Sequence, residues 1–156
     1  MKNFLKLVIA VGVSLAAGFI GSFFTVSSVE NWYVFLNKPV LNPPSWLFGP
    51  VWTLLYVLMG IAAFLVWKKD WRRKEVKIAL TLFAVQLILN SAWSIIFFGL
   101  QNPFAALLEI ILLWVFILVT AILFYRISRP ASYLFVPYIA WVSFAIYLNW
   151  SIWALN

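Results

Sequence analysis

Apolar residues along this chain run in blocks of about twenty, with no polar stripe inside them. The blocks cover residues 4–26, 46–67, 78–98, 104–125 and 132–155, and Lys6 and Glu109 are the only charges within them. A soluble amphipathic helix would carry a polar face at helical spacing. The hydrocarbon core of a bilayer is about 30 Å thick and takes about 20 helical residues to cross. The pattern therefore predicts an all-α integral membrane protein, a five-transmembrane-helix bundle, with residues 1–156 forming a single membrane domain. Residues 27–45 are the one long connection. The others are short, which makes neighbouring spans antiparallel and adjacent.

Charge supplies an orientation. Lys2 and Lys6 precede the first span, Lys68, Lys69, Arg72, Arg73, Lys74 and Lys77 lie between the second and third, and Arg126 and Arg129 lie between the fourth and fifth. Lys38 alone falls on the opposite side. The positive-inside rule then predicts a cytoplasmic N-terminus and an external C-terminus. Lys2, Lys6 and the small residues Ser14, Ala16 and Ala17 also fit a signal peptide. The apolar run continues to residue 26, which favours a retained span over cleavage.

Composition narrows the chemistry. The chain is 66% hydrophobic and only 10% charged, against roughly 25% charged in soluble domains. It has no Cys and no His, which excludes disulfides, thiolate nucleophiles, Ser-His-Asp triads, and the usual zinc and haem ligands. Four carboxylates without a clustered pair suit no divalent-metal cage. The net charge of +7 gathers in the topology-setting loops, so it forms no nucleic-acid-binding stripe.

Polar groups at membrane depth are costly and point to partners or to a cavity. Gln86, Asn90 and Ser94 recur at i, i+4 and i+8 on one face of the third span, with Trp93 beside them. They serve either as interhelical hydrogen bonds or as the polar anchor of a ligand site. Glu109 reads as a boundary residue that snorkels or pairs locally, since a proton relay would need further titratable groups at depth. Ten Trp residues are present. Trp32, Trp46, Trp67, Trp71 and either Trp150 or Trp153 suit interfacial anchoring. Trp52, Trp93 and Trp141 lie deeper or beside polar groups, where an indole needs a partner and offers a flat face. Ala145, one turn from Trp141, leaves room for something flat.

Small residues at Ala10, Ser14, Gly18 and Ser22, with Ala17 and Gly21 alongside, predict a close-packing face on the first span, for the internal bundle or for a homodimer. The long connection holds Pro39, Pro43 and Pro44 together with Trp32, Tyr33, Phe35 and Leu36. It is too apolar and too restricted for a solvated loop, and it is expected to fold over the external mouth of the bundle as a lid.

Three ordered motifs carry a resemblance. Trp32-Tyr33-x2-Leu36-x-Lys38-Pro39-x2-Asn42-Pro43-Pro44-x-Trp46-x-Phe48-Gly49-Pro50-Val51-Trp52-Thr53-x-Leu55-Tyr56-x2-Met59-Gly60 resembles the signature of the tryptophan-rich sensory protein family. That family is also known as the translocator protein or peripheral-type benzodiazepine receptor family. Asn90-Ser91-Ala92-Trp93-Ser94-x2-Phe97-Phe98 is similar to its third helix, and Pro137-Tyr138-x2-Trp141-Val142-x-Phe144-Ala145-x2-Leu148-Asn149 to its fifth. The resemblance implies binding of porphyrins, haem among them, and of other flat hydrophobic ligands, with no obligatory cofactor and commonly as a homodimer. It maps ligand contacts onto Tyr33, Pro43, Trp52, Asn90, Trp93, Trp141, Ala145 and Leu148. It also implies a light- and oxygen-dependent breakdown of protoporphyrin, in which Trp52 and Trp141 match the proposed catalytic indoles. The sterol motif of animal members is absent near the end of the fifth span, where Trp150 and Ala154 replace the Tyr and the basic residue. The expected location is a bacterial cytoplasmic membrane. The leading expectation is a receptor or sequestering protein for tetrapyrroles, ahead of a porphyrin-degrading enzyme. A transporter comes last, because the chain shows no paired repeat and no coupling-ion site.

Overall fold

Five helical segments are long and apolar enough to cross a membrane: Asn3–Asn31, Ser45–Trp67, Lys74–Gly99, Pro103–Ile127 and Arg129–Leu155. The computed structural model describes residues 2–156. Helix α1 (Asn3–Asn31) is followed by a short 3-10 turn at Tyr33–Phe35 and another at Ser45–Leu47, which leads into α2 (Phe48–Trp67). Helix α3 (Lys74–Ser94) ends in a π turn at Ile95–Gly99, and α4 (Pro103–Ile127) follows. The last span is divided into α5 (Arg129–Tyr133) and α6 (Val136–Leu155).

Two boundaries have clear local causes. Asn102 accepts a hydrogen bond from the Ala105 N–H at 3.0 Å, and Pro103 occupies the first turn of α4, where a missing N–H costs nothing. Pro137 cannot donate to the carbonyl one turn earlier, so the fifth span breaks between Tyr133 and Val136. Helix α1 runs to Asn31, beyond residue 26 where its apolar block ends. At 1.5 Å per residue its 29 residues measure about 43 Å. It therefore projects past the hydrocarbon and carries Ser28 and Glu30 up to the lid.

The spans close a ring. Helix α1 packs on α2 and α3, α3 on α4, α4 on α6, and α5 on α2. The small face of α1 is used inside the bundle: Ala10, Ser14, Ala17 and Gly21 are buried. The Ser91 hydroxyl donates to the Ala17 carbonyl at 2.8 Å, tying that face to α3. On the α2 side Gly18 lies against the Tyr56 ring, and Gly60 lies against the Val11 backbone. The outward faces are apolar, with Phe4, Phe19, Phe23 and Val26 exposed on α1 alone.

The core has two parts. The half nearer the basic loops is filled by Met59, Ala62, Val66, Val76, Ala79 and the aromatic stack Phe83, Phe124, Phe135. A smaller cluster of Tyr33, Phe97, Ala106 and Ile152 sits beneath the lid. Between them α2 and α6 are bridged by large rings, Phe48 to Trp141 at 6.1 Å and Trp52 to Tyr138 at 6.3 Å between centroids.

The lid is clasped to the end of α6. Asn156 Oδ1 accepts from the Asn37 N–H at 3.0 Å, Asn156 Nδ2 donates to the Asn37 carbonyl at 2.9 Å, and Asn37 Nδ2 donates to the Leu155 carbonyl at 3.3 Å. Within the lid, the Tyr33 hydroxyl donates to Asn42 Oδ1 at 3.0 Å. The Lys38 ammonium donates to the Val34 and Leu36 carbonyls and lies 4.7 Å over the Tyr33 ring.

Two outcomes follow from this packing. A Cβ at Gly60 would sit 2.5 Å from the Val11 Cα, whereas one at Gly12 meets nothing within 4 Å. Gly60→Ala is expected to destabilise by about 1–3 kcal/mol as an overpacked contact, and Gly12→Ala to be near neutral, read by thermal unfolding in detergent. Equal midpoints for both would contradict the close approach of α1 and α2. At the clasp, Asn37→Ala and Asn156→Ala should each raise hydrogen exchange of residues 33–44 several-fold. Asn156→Ala should do more than Asn37→Ala, because it removes the two bonds to the Asn37 backbone whereas Asn37→Ala removes only the bond to the Leu155 carbonyl. Unchanged exchange in both variants would show that the clasp does not hold the lid.

Candidate functional site

Asn90 organises the centre of the molecule. It sits on α3, only 3% exposed, so its amide depends on partners within the protein. Its Oδ1 accepts a short hydrogen bond from the Tyr56 hydroxyl of α2. Its Nδ2 donates to the Tyr138 hydroxyl of α6 at 2.7 Å, and Tyr138 in turn donates to Gln86 Oε1 at 2.8 Å. Gln86 Nε2 makes only a weak 3.8 Å contact with the Met59 sulfur. The network joins three spans. Of the two roles left open for Asn90, the structure shows interhelical bonding, and it also places the residue in a cavity wall.

That cavity lies above the network and below the lid, with a volume of about 610 Å³. Ligand pockets for drug-sized molecules run from about 300 to 1,000 Å³ and are mostly apolar with a few placed polar groups. Tyr33, Trp52, Asn90, Trp93, Trp141, Ala145 and Leu148 all line it. Residues from the first connection and from α2, α3 and α6 are thus brought to one space. Pro43 is not in the wall. Its carbonyl accepts from Asn42 Nδ2 at 3.2 Å, one residue from the Tyr33–Asn42 bond, so Pro43 shapes the lid from outside the cavity.

The three deep indoles differ in what they have left to offer. Trp93 is committed: its Nε1 donates to Asn149 Oδ1 at 2.9 Å, Asn149 Nδ2 donates to the Pro103 carbonyl at 2.8 Å, and its ring stacks on Phe97 at 5.1 Å. Trp52 stacks on Tyr56 with centroids 5.8 Å apart. Among the described residues neither Trp52 nor Trp141 has a hydrogen-bond partner for its indole N–H. Both residues line the cavity with their donors uncommitted.

Several wall residues went unnoticed in the sequence. The π turn Ile95–Gly99 brings Phe97 and Phe98 into the wall together, and its widened geometry is stabilised where the Ser28 hydroxyl donates to the Phe98 carbonyl at 2.8 Å. Gly18, Ser22 and Thr25 of α1 also line the space; the spacing suggested close packing, and only part of that face is used so. Tyr138 follows Pro137 in the quoted motif, but nothing in its spacing reveals Asn90 and Gln86 as its partners.

Protonation at the lid follows from burial. Desolvation pushes the Tyr33 phenol above its ordinary range, and the Asn42 hydrogen bond offsets part of the shift. Tyr33 therefore stays a donor. Glu109 lies outside the cavity wall, and both its carboxylate oxygens are buried without a partner among the described residues. The local pairing expected for it is not formed. Among the described residues no three His, Cys, Asp or Glu side chains cluster as a metal site.

Known proteins share this sequence along nearly its whole length. The TspO/MBR family profile matches residues 10–154. A tryptophan-rich protein TspO from Chlorobaculum tepidum is 50% identical over 155 residues, covering 99% of this chain and 98% of that protein. A protein of the same name from Archaeoglobus fulgidus is 48% identical, covering 99% of each. The translocator protein of Bos taurus is 38% identical, covering 94% of this chain and 89% of its own length. Full-length similarity of this kind, on a five-span bundle, shows that the chain is an integral membrane protein belonging to the TspO/MBR family.

Proposed function

We propose that this protein is a membrane receptor for porphyrins and other flat hydrophobic molecules, acting by sensing or sequestration. The observation that carries the reading is the cavity of about 610 Å³ walled by Trp52, Trp93 and Trp141 over a satisfied polar floor. A flat macrocycle gains from apolar burial and from offset stacking on such rings. The free indole N–H groups of Trp52 and Trp141 supply directional contacts to ring nitrogens or polar substituents. Haem would be held by its ring, since among the described residues the wall contains no His, Cys or Met and its Tyr33 hydroxyl is engaged by Asn42. The names of relatives are consistent with a role in recognition, among them a tryptophan-rich sensory protein of Cereibacter sphaeroides, 38% identical over 127 residues. The proposed setting is a bacterial cytoplasmic membrane with the lid outside and the basic loops inside, and the proposed assembly is a homodimer.

A second reading has one observation in its favour. Trp52 and Trp141 stand in the wall of the same cavity, so a bound photosensitiser would meet two oxidisable indoles. Under light and oxygen this arrangement supports oxidative breakdown of the porphyrin itself.

Saturable quenching of tryptophan fluorescence by protoporphyrin tests the binding that both readings require. Trp141→Phe and Trp52→Phe are each expected to weaken binding about two- to tenfold, the worth of one aromatic contact. Unchanged affinity in both would remove the cavity as the site. If the protein is also an enzyme, the same variants, saturated with porphyrin, should lose breakdown products under illumination. Equal breakdown by the variants, or by porphyrin in detergent alone, would eliminate catalysis.

A further inference from the structure

The cavity is open on one side. The wall residues that are also exposed fall on two facing stripes, Leu15, Phe19, Ser22, Val26 and Glu30 on α1 and Ser45, Gly49 and Thr53 at the start of the second span. Deeper down the opening is shut, where Gly18 meets the Tyr56 ring. Glu30 stands at the lid end of this slot. Among the described residues it is the only charged side chain in the cavity wall.

Nothing nearby neutralises it. Among the described residues the only ion pair is Arg73 with Glu75, near the other end of the bundle. Lys38, the one cation of the lid, is turned to its own loop carbonyls and to the Tyr33 ring. Glu30 is also in the last turn of α1, which contains no basic residue. The carbonyl end of a helix carries a partial negative charge, and this adds to the carboxylate. The rim of an otherwise uncharged cavity wall thus holds a localised negative charge at the exposed lid end of the slot.

Resting on the binding reading above, we propose that Glu30 makes the cavity charge-selective. It favours flat ligands whose polar edge is neutral or cationic and penalises those carrying carboxylates at that edge. A macrocycle seated between Trp52 and Trp141 has its buried edge over the Asn90 network and its outer edge at the slot. Any charged substituents must lie at the outer edge, because the floor is hydrogen-bonded within itself and offers no counter-ion. Glu30 meets them there.

Three probes of one shape test this: protoporphyrin, its dimethyl ester, and the derivative with both carboxylates converted to ammonium-bearing amides. Affinities are read by saturable tryptophan quenching in bilayer discs of zwitterionic lipid, so that lipid charge contributes nothing. Comparing the diacid-to-diester ratio between variants in the same lipid cancels the different lipid partitioning of the probes. In Glu30→Gln the affinity of the diacid relative to the diester is expected to rise about three- to tenfold, as for unit charges about 4 Å apart screened by bulk water. In Glu30→Lys it should rise further while the ammonium derivative weakens. The effect should shrink in high salt. Ratios unchanged in both variants, with all three probes still binding, would overturn charge selection and leave the binding reading intact. Absence of saturable binding by all three probes to the unmodified protein would defeat the binding reading, and charge selection with it.

Discussion

In hydrocarbon a polar group has no water to fall back on, so its partners must come from the protein. The Asn90 amide is where this constraint bears hardest on the bundle. Its oxygen and nitrogen bind Tyr56 from α2 and Tyr138 from α6, and Tyr138 passes the chain of bonds on to Gln86. Because each hydroxyl needs the amide as much as the amide needs it, three spans are held at one depth and in one rotation. The rings attached to those hydroxyls then form a firm floor. Small residues and stacked aromatics fill the half below it. Above it the helices are kept apart by Phe48, Trp52 and Trp141, whose size leaves a cavity between them.

The lid and the π turn complete that space from the other end. The widened turn carries both Phe97 and Phe98 in the wall. The same turn exposes a carbonyl that Ser28 satisfies, and Ser28 is within reach because α1 runs on past the apolar block. Asn37 and Asn156 then fasten the lid to the end of α6. Length of α1, shape of α3 and position of the lid are thus parts of one arrangement around the cavity.

Much of this was legible in the sequence, and the remainder was hidden for physical reasons. The five spans were readable because crossing a bilayer demands a length and an apolarity that few other constraints produce. The Gln86–Asn90 face was readable because amides are rare at that depth. The partners of Asn90 were not, since a Tyr in a membrane helix looks the same whether its hydroxyl reaches lipid headgroups or a buried amide. The end of α1 was misplaced by five residues because Ser27, Ser28 and Glu30 end the apolar pattern without ending the helix. Pro43 carried a site expectation from the resemblance, but its neighbours turn it toward the lid backbone. The π turn and the Asn37–Asn156 clasp have no local signature, since both depend on what is packed opposite.

The central claim is that the space over Asn90 is a seat for a flat macrocycle, and a crystal grown with protoporphyrin tests it most directly. The account predicts planar density inside the cavity, against the indoles of Trp52 and Trp141, with its inner edge over the Asn90–Tyr138 bond and its outer edge at the slot beside Glu30. Planar density on the lipid-facing surface, with the cavity filled by side chains or by lipid, would contradict it.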